Sequence, residues 1–137
     1  MKILLHLCII SLSAVIASCN GKENASATPE QQGQLWLAKA RAALRGSDFA
    51  EARAAIDSLR HLCAEALNAR EEGILLLDSI DLAEARSQLA EAERLAARQD
   101  LDIYARDSAD TRLDRAATKV RFYEKKLTND IAHRQRH

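Results

Sequence analysis

Apolar positions along this 137-residue chain change their spacing from one stretch to the next. From Ile3 to Ala17 they form one run, after which Asn20 to Ala27 is small and polar with no period. Leu35, Trp36, Ala40, Ala43 and Leu44 recur at helical intervals, which predicts a helix that Gly46 ends. Its start signal is complete. Thr28 can cap it, Pro29 occupies the first helical position, where a missing N–H costs nothing, and Gln31 can close a capping box. Asp48 then caps a second helix with Glu51 three residues on, and Phe49, Ala52, Ile56 and Leu59 supply its apolar face. Only Ser47 and Asp48 separate the two helices, so they must fold back as an antiparallel pair.

The spacing then lengthens to seven. Leu75, Leu82, Leu89 and Ala96 form one such row with Ala85 and Ala92 between them, as a coiled-coil seam requires. With Asn68 as cap and Glu71 three residues on, this seam favours one helix from near Asn68 to about Arg98. A polar, aspartate-rich stretch from Gln99 to Asp107 breaks the pattern. A last segment, running to near Ala132, carries Leu113, Val120 and Leu127 seven apart, with Ala116 and Tyr123 in the intermediate places. Neither seam can stay exposed, so the two segments should pair antiparallel, the Leu82-Leu89-Ala96 edge against Leu127-Val120-Leu113. The expected fold is therefore all-α. A helix pair covers 29–66, a long coiled-coil-like hairpin covers 67–133, and the tail 134–137 frays. The expected core is Trp36, Phe49, Ile56, Leu82, Leu89, Leu113, Val120 and Leu127.

Asp48-Phe49-Ala50-Glu51-Ala52-Arg53 recurs 33 residues later as Asp81-Leu82-Ala83-Glu84-Ala85-Arg86, and Gly73 falls where Ala40 predicts a small residue. Over roughly residues 33–66, Trp36, Ala40, Gly46, Asp48, Phe49, Ala52 and Ile56 resemble the signature of a tetratricopeptide repeat. That signature has an aromatic opening helix A, a small residue a turn later, a Gly/Asp-aromatic turn, and a small then a large residue on helix B. Ala43 replaces the late aromatic of helix A, Gly46 is one place early, and the closing proline is absent. The echo opens a second reading of 68–98 as another such pair. Against it, Asp78-Ser79-Ile80-Asp81 holds no glycine or proline to turn the chain, and fewer than three repeats make a poor solenoid.

The start of the chain concerns location. Lys2, the short apolar run and the small residues before Cys19 are the parts of a cleavable export signal, and a run this short falls below the roughly 20 apolar residues a membrane span needs. Ile16-Ala17-Ser18-Cys19 resembles the lipobox of bacterial lipoproteins. The resemblance implies that residues 1–18 are removed, that Cys19 is lipidated with several acyl chains, palmitate among them, and that the protein is held in the cell envelope. Asn20, in place of an aspartate directly after the cysteine, favours the outer membrane within that family. Residues 19–28 then form a tether that reaches on the order of 30 Å when stretched at about 3.3 to 3.6 Å per residue.

Removal of 18 of the 137 residues leaves 119, enough for one small unit. With 20 basic and 20 acidic residues alternating along every segment, the composition predicts no electrostatic partner and disfavours nucleic acid. Cys8 leaves with the signal and Cys19 carries the lipid. Cys63 then remains as a buried, inert thiol among Leu59, Leu62 and Ala66. Aromatic residues are only 4%, and an alanine-rich core buries little area, so the helices should be thin and tightly apposed with no pocket for a sizeable ligand.

No catalytic or cofactor motif emerges. His133 and His137 lie four apart without a third ligand, and His61 stands alone, so no metal site is expected. Asp100, Asp102, Asp107, Asp110 and Asp114 miss the calcium-loop spacing and are read as helix caps and solvated carboxylates. Asp57 with Arg60 and Glu91 with Arg94 have the spacing of solvated helix pairs. No phosphate loop, nucleophile elbow or zinc-protease helix is present, so an enzyme is not expected. These readings point to a lipid-anchored envelope protein acting as a helical protein–protein interaction module or scaffold. Its contacts would be the membrane, through Cys19, and another envelope protein or its own copies. The alternative is a small-ligand binder or carrier, which needs an apolar cavity between the hairpins near Trp36 and Phe49.

Overall fold

Residues 27–136 are described by the structure, a computed structural model. The segment read as an export signal, Cys19, most of the segment read as a tether, and His137 lie outside the described residues. Among those described, the chain is all-helical: α1 (Pro29–Arg45), α2 (Phe49–Leu62), α3 (Leu67–Ala96) and α4 (Ile103–Arg134).

Local chemistry sets the ends of α1 and the start of α2. The Gln31 N–H donates to Thr28 Oγ1 at 3.2 Å, and the Thr28 N–H donates to the Gln31 side chain at 2.9 Å, which closes the capping box. At the other end, the Asp48 N–H donates to the Ala43 carbonyl and the Ser47 N–H to the Leu44 carbonyl, both at 3.0 Å, as in a Schellman turn. The left-handed residue of this turn is Ser47, with φ 59°, whereas Gly46 has φ −81°. Glycine therefore stands one place ahead of the position that would use its freedom. Asp48 Oδ1 then accepts from the Glu51 N–H at 3.0 Å and opens α2.

Leu37, Ala40, Ala52, Ile56, Leu59 and Ile80 form the centre of a core that joins α1, α2 and the first half of α3. The buried face of α1 is rotated from the one its spacing suggested. Leu37 is wholly buried, Leu35 is 61% exposed, and Trp36, Ala43 and Leu44 pack at the margin. The reason is that α1 meets two neighbours, α2 and α3, so its buried side is the one between them. Gly33 makes the closest approach, since a Cβ there would stand 2.7 Å from Ala69 Cβ and 3.0 Å from Ala66 Cβ.

α3 is one continuous helix, as the heptad spacing favoured, but Asn68 does not cap it. The N-cap is Ala66, whose side chain can accept nothing, and Asn68 lies inside the first turn. The orphan Ala69 N–H donates instead to Glu30 Oε1 of α1 at 2.8 Å, a cap supplied from another helix. Cys63 closes α2 as a buried free thiol, while Leu62 beside it is exposed.

Beyond α3 the break is shorter than the polar stretch suggested. Asp102 Oδ1 accepts from the Ala105 N–H at 2.8 Å, so α4 begins at Ile103 and takes in residues 103–107. It ends at Arg134, two residues past Ala132, so Arg134 belongs to the helix and not to the tail. α4 packs against α3 alone, whereas α1 and α2 pack against each other and α3. α3 thus stands between the α1–α2 pair on one side and α4 on the other. Buried on two sides, it shows little net amphipathicity, which is why its period was ambiguous in the sequence.

Candidate functional site

The second core lies along the α3–α4 seam, where Leu82 and Ala85 meet Val120, with Leu89, Tyr123 and Leu127 packed against them. Of the residues expected in the core, Ile56, Leu82 and Val120 are buried, whereas Trp36, Phe49, Leu89, Leu113 and Leu127 keep part of their surface in water. The partial exposure of Leu89 and Leu113 has a plain cause. Past Ala85 the α1–α2 pair no longer covers α3, and two helices alone cannot enclose a seam.

One charged group interrupts the seam. Asp78, three residues after Leu75 and four before Leu82, is only 2% exposed, and Lys126 of α4 donates to its Oδ1. The same ammonium donates to Asp130 Oδ2 at 2.8 Å. Burial pushes the Asp78 carboxyl above its usual range although Lys126 opposes the shift, and Asp78 Oδ2 has no hydrogen-bond partner among the described residues. Hydrogen bonds to Asp130 and Asp78 raise Lys126, and Lys126 in turn holds Asp130 below the usual carboxylate range. A buried pair of this kind does less for stability than for register, since sliding α4 by one residue toward its N-terminus would set Leu127 against Asp78 in place of its cation.

The hexapeptide echo resolves into a contact. Arg53 from its first occurrence donates to Asp81 at 2.6 Å and to Glu84 at 2.5 Å in the second, joining α2 to α3. Hydrogen bonding to Asp81 raises the Arg53 pKa further. Arg86 reaches the other way, to Glu124 of α4 at 2.9 Å. The two occurrences share letters and not roles, because Asp48 caps a helix and Asp81 lies within one.

A concave feature lies on the uncovered half of the α3–α4 hairpin. It is an open groove of about 700 Å³ whose floor includes Ala92, Leu95 and Ala116. Arg94 of α3, Arg98 just beyond its end, and Arg112, Arg115 and Lys119 of α4 line it, with Glu91 as the one carboxylate. Arg98 is held by Asp100 at 2.6 Å, Lys119 donates to Gln88 Oε1 at 2.9 Å, and Arg94 Nε donates to the Ala90 carbonyl at 3.0 Å. Among the described residues no carboxylate pairs with Arg94, Arg112, Arg115 or Lys119. This corrects two expectations at once. The chain does have a sizeable groove, and its balanced charge is not evenly spread in space. The antiparallel pairing brings cations at 94 and 98 opposite cations at 112, 115 and 119, which no reading along the chain could add together.

Two smaller grooves flank the other half of α3, one of about 430 Å³ lined by Glu71, Ile74, Leu75, Asp130, His133 and Arg134 and one of about 340 Å³ that includes Arg41, Glu72 and Ser79. Neither Trp36 nor Phe49 lines any of the three. Lys39 lies 5.2 Å from the centre of the Trp36 ring and pairs with Glu51 at 2.7 Å, so this edge is already engaged by the chain's own charges. His61 and His133 are exposed, and no group of three His, Cys, Asp or Glu residues among those described could hold a metal ion. Asp57 and Arg60 pair at 3.6 Å, whereas Arg94 turns away from Glu91 to its own helix. Comparison with protein-family models, curated proteins and solved structures found no match.

Proposed function

We propose that this chain is a lipid-anchored envelope protein whose helices form a protein–protein interaction module, without catalysis. In this reading Cys19 carries the lipid, residues 19–28 are the tether, the α1–α2 pair is a degenerate tetratricopeptide-like hairpin, and the α3–α4 hairpin is the part that engages a partner. One observation carries the choice of surface. The distal half of that hairpin is a two-helix arm with a half-covered seam and an open groove rich in unpaired cations. No helix among the described residues is long and apolar enough to cross a membrane, so attachment would fall to the lipid. Stable attachment of that kind takes more than one acyl chain, at about 0.8 kcal/mol per buried CH₂.

Fractionation of cells carrying Cys19→Ser tests the anchor. The variant should move to the soluble fraction or remain unprocessed, and normal cleavage with unchanged membrane retention would refute the lipobox reading. Affinity recovery of the mature protein with its lipid intact, after cross-linking in membranes, tests the module. A defined partner should be recovered, and only monomer under varied conditions would remove the proposal.

A further inference from the structure

We infer that the partner of the basic groove is a second copy of this chain, which inserts the acidic stripe Asp107, Asp110 and Asp114 of its own α4. The inference rests on the reading of the chain as an interaction module and names the occupant. The stripe and the groove carry matching combs. Asp107, Asp110 and Asp114 follow one another at steps of three and four residues, and so do Arg112, Arg115 and Lys119. At 1.5 Å per residue each comb is about 10 Å long, and sliding one α4 past another by five residues, about 7 to 8 Å, sets acid beside base along the whole length.

Position on the helix explains why the contact needs another molecule. Each aspartate precedes its matching cation by five residues, which at about 100° per residue places the stripe about 140° around α4 from the groove. One chain cannot fold its own stripe into its own groove. Asp107, Asp110 and Asp114 are all exposed and make no ion pair among the described residues, so both halves of the contact are unspent. Ala92 and Ala116 in the groove allow close approach of a helix, and the added helix would cover the arm where it has only two. Groove and stripe are different surfaces, so the association is head to tail and each added copy leaves a groove and a stripe free. Three partly exposed ion pairs make a weak, salt-sensitive contact, which suits chains concentrated on one surface.

The decisive experiment uses two differently tagged full-length chains expressed together, one with Asp110→Cys and the other with Arg115→Cys, treated in intact cells with a short thiol cross-linker. A mixed-tag dimer is expected. Neither variant alone should link to itself beyond the wild-type background from Cys63 and from any unprocessed chain. Absence of the mixed dimer, or equal linking of like variants, overturns the inference. Purified full-length chains in detergent give a second test by sedimentation. Asp107→Asn/Asp110→Asn/Asp114→Asn and Arg112→Gln/Arg115→Gln should each weaken self-association about 10- to 100-fold, and their equimolar mixture should recover a dimer that grows no further. Asp57→Asn/Glu65→Gln/Glu71→Gln, which removes as much charge elsewhere, should associate as the wild type does; equal weakening there overturns the inference. Binding to anionic phospholipid vesicles without any linked pair of copies does the same. Recovery of a different protein on the groove overturns this inference and leaves the interaction reading standing, whereas recovery of nothing removes both.

Discussion

Ser47 offers the sharpest test of the fold, because it holds a backbone conformation that its side chain opposes. Its φ of 59° places it in the left-handed region, which costs an L-residue about 1 to 2 kcal/mol relative to glycine. The turn keeps it there through the Asp48 to Ala43 and Ser47 to Leu44 hydrogen bonds, both at 3.0 Å. Ser47→Gly removes that strain but adds about 0.5 to 1 kcal/mol of backbone entropy to be lost on folding. The net gain should be about 0.5 to 1 kcal/mol. For a folded unit of this size that corresponds to a rise in Tm of about 2 to 4 °C. Thermal and urea unfolding followed by far-UV circular dichroism would measure it across the series Gly, Asn, Ser, Ala, Val at this one position. Stability should fall in that order, with valine lowest because a β-branched side chain tolerates positive φ least. The reasoning fails if valine matches glycine, or if Ser47→Gly lowers Tm while Gly46→Ala, at a position with negative φ and room for a Cβ, does not.

Three further outcomes follow from the packing and the charges. Gly33→Ala would drive a Cβ against Ala69 and Ala66 and should cost about 1 to 3 kcal/mol, read as a fall in urea midpoint; a neutral result would mean α1 does not approach α3 so closely. Glu30→Ala should cost about 1 kcal/mol and speed hydrogen exchange at the Ala69 amide while leaving the ends of α2 and α4 unchanged. Because burial raises the Asp78 carboxyl, the folded chain takes up its proton more readily than the unfolded chain, so this group adds stability as pH falls through its folded pKa. Glu72, lowered chiefly by its hydrogen bond from Arg41, acts in the opposite sense and loses its contribution in acid. Asp78→Asn should therefore lose stability faster than the wild type between about pH 7 and pH 3, and parallel curves would contradict the buried placement of Asp78.

Legibility in the sequence followed the range of the interactions. The capping box at Thr28, the Asp48 cap, the α1–α2 turn and the seven-residue seams depend on neighbours within a turn or two, and each could be read residue by residue. The start of α3 could not. Asn68 looked like a cap because the acceptor that serves the helix end is Glu30, 39 residues away. Leu37 was missed for a related reason, since only the presence of two neighbouring helices decides which face of α1 is inside. Asp78 carried a signal that was passed over: an acid at a core step of a leucine seam requires a cation opposite, and Lys126 lies beside Leu127 on the matching seam. The groove was out of reach of composition, which counts charges without pairing the segments that bring them together.

The contact between Glu30 and the first turn of α3 also sets a length. It fixes the point where the chain enters α1 at the base of α3, and α3 then runs 30 residues, about 45 Å at 1.5 Å per residue, to the tip of the arm. With the lipid anchor proposed above, the molecule would act as a spacer, attached at one end and carrying its groove toward the other. Chains tethered to a common plane through that base would hold their grooves near one height above it, and a tether reaching on the order of 30 Å would absorb the offset of about 7 to 8 Å between linked copies. Lengthening or shortening α3 and α4 together by whole heptads would raise or lower that height by about 10 Å at a time without changing either core.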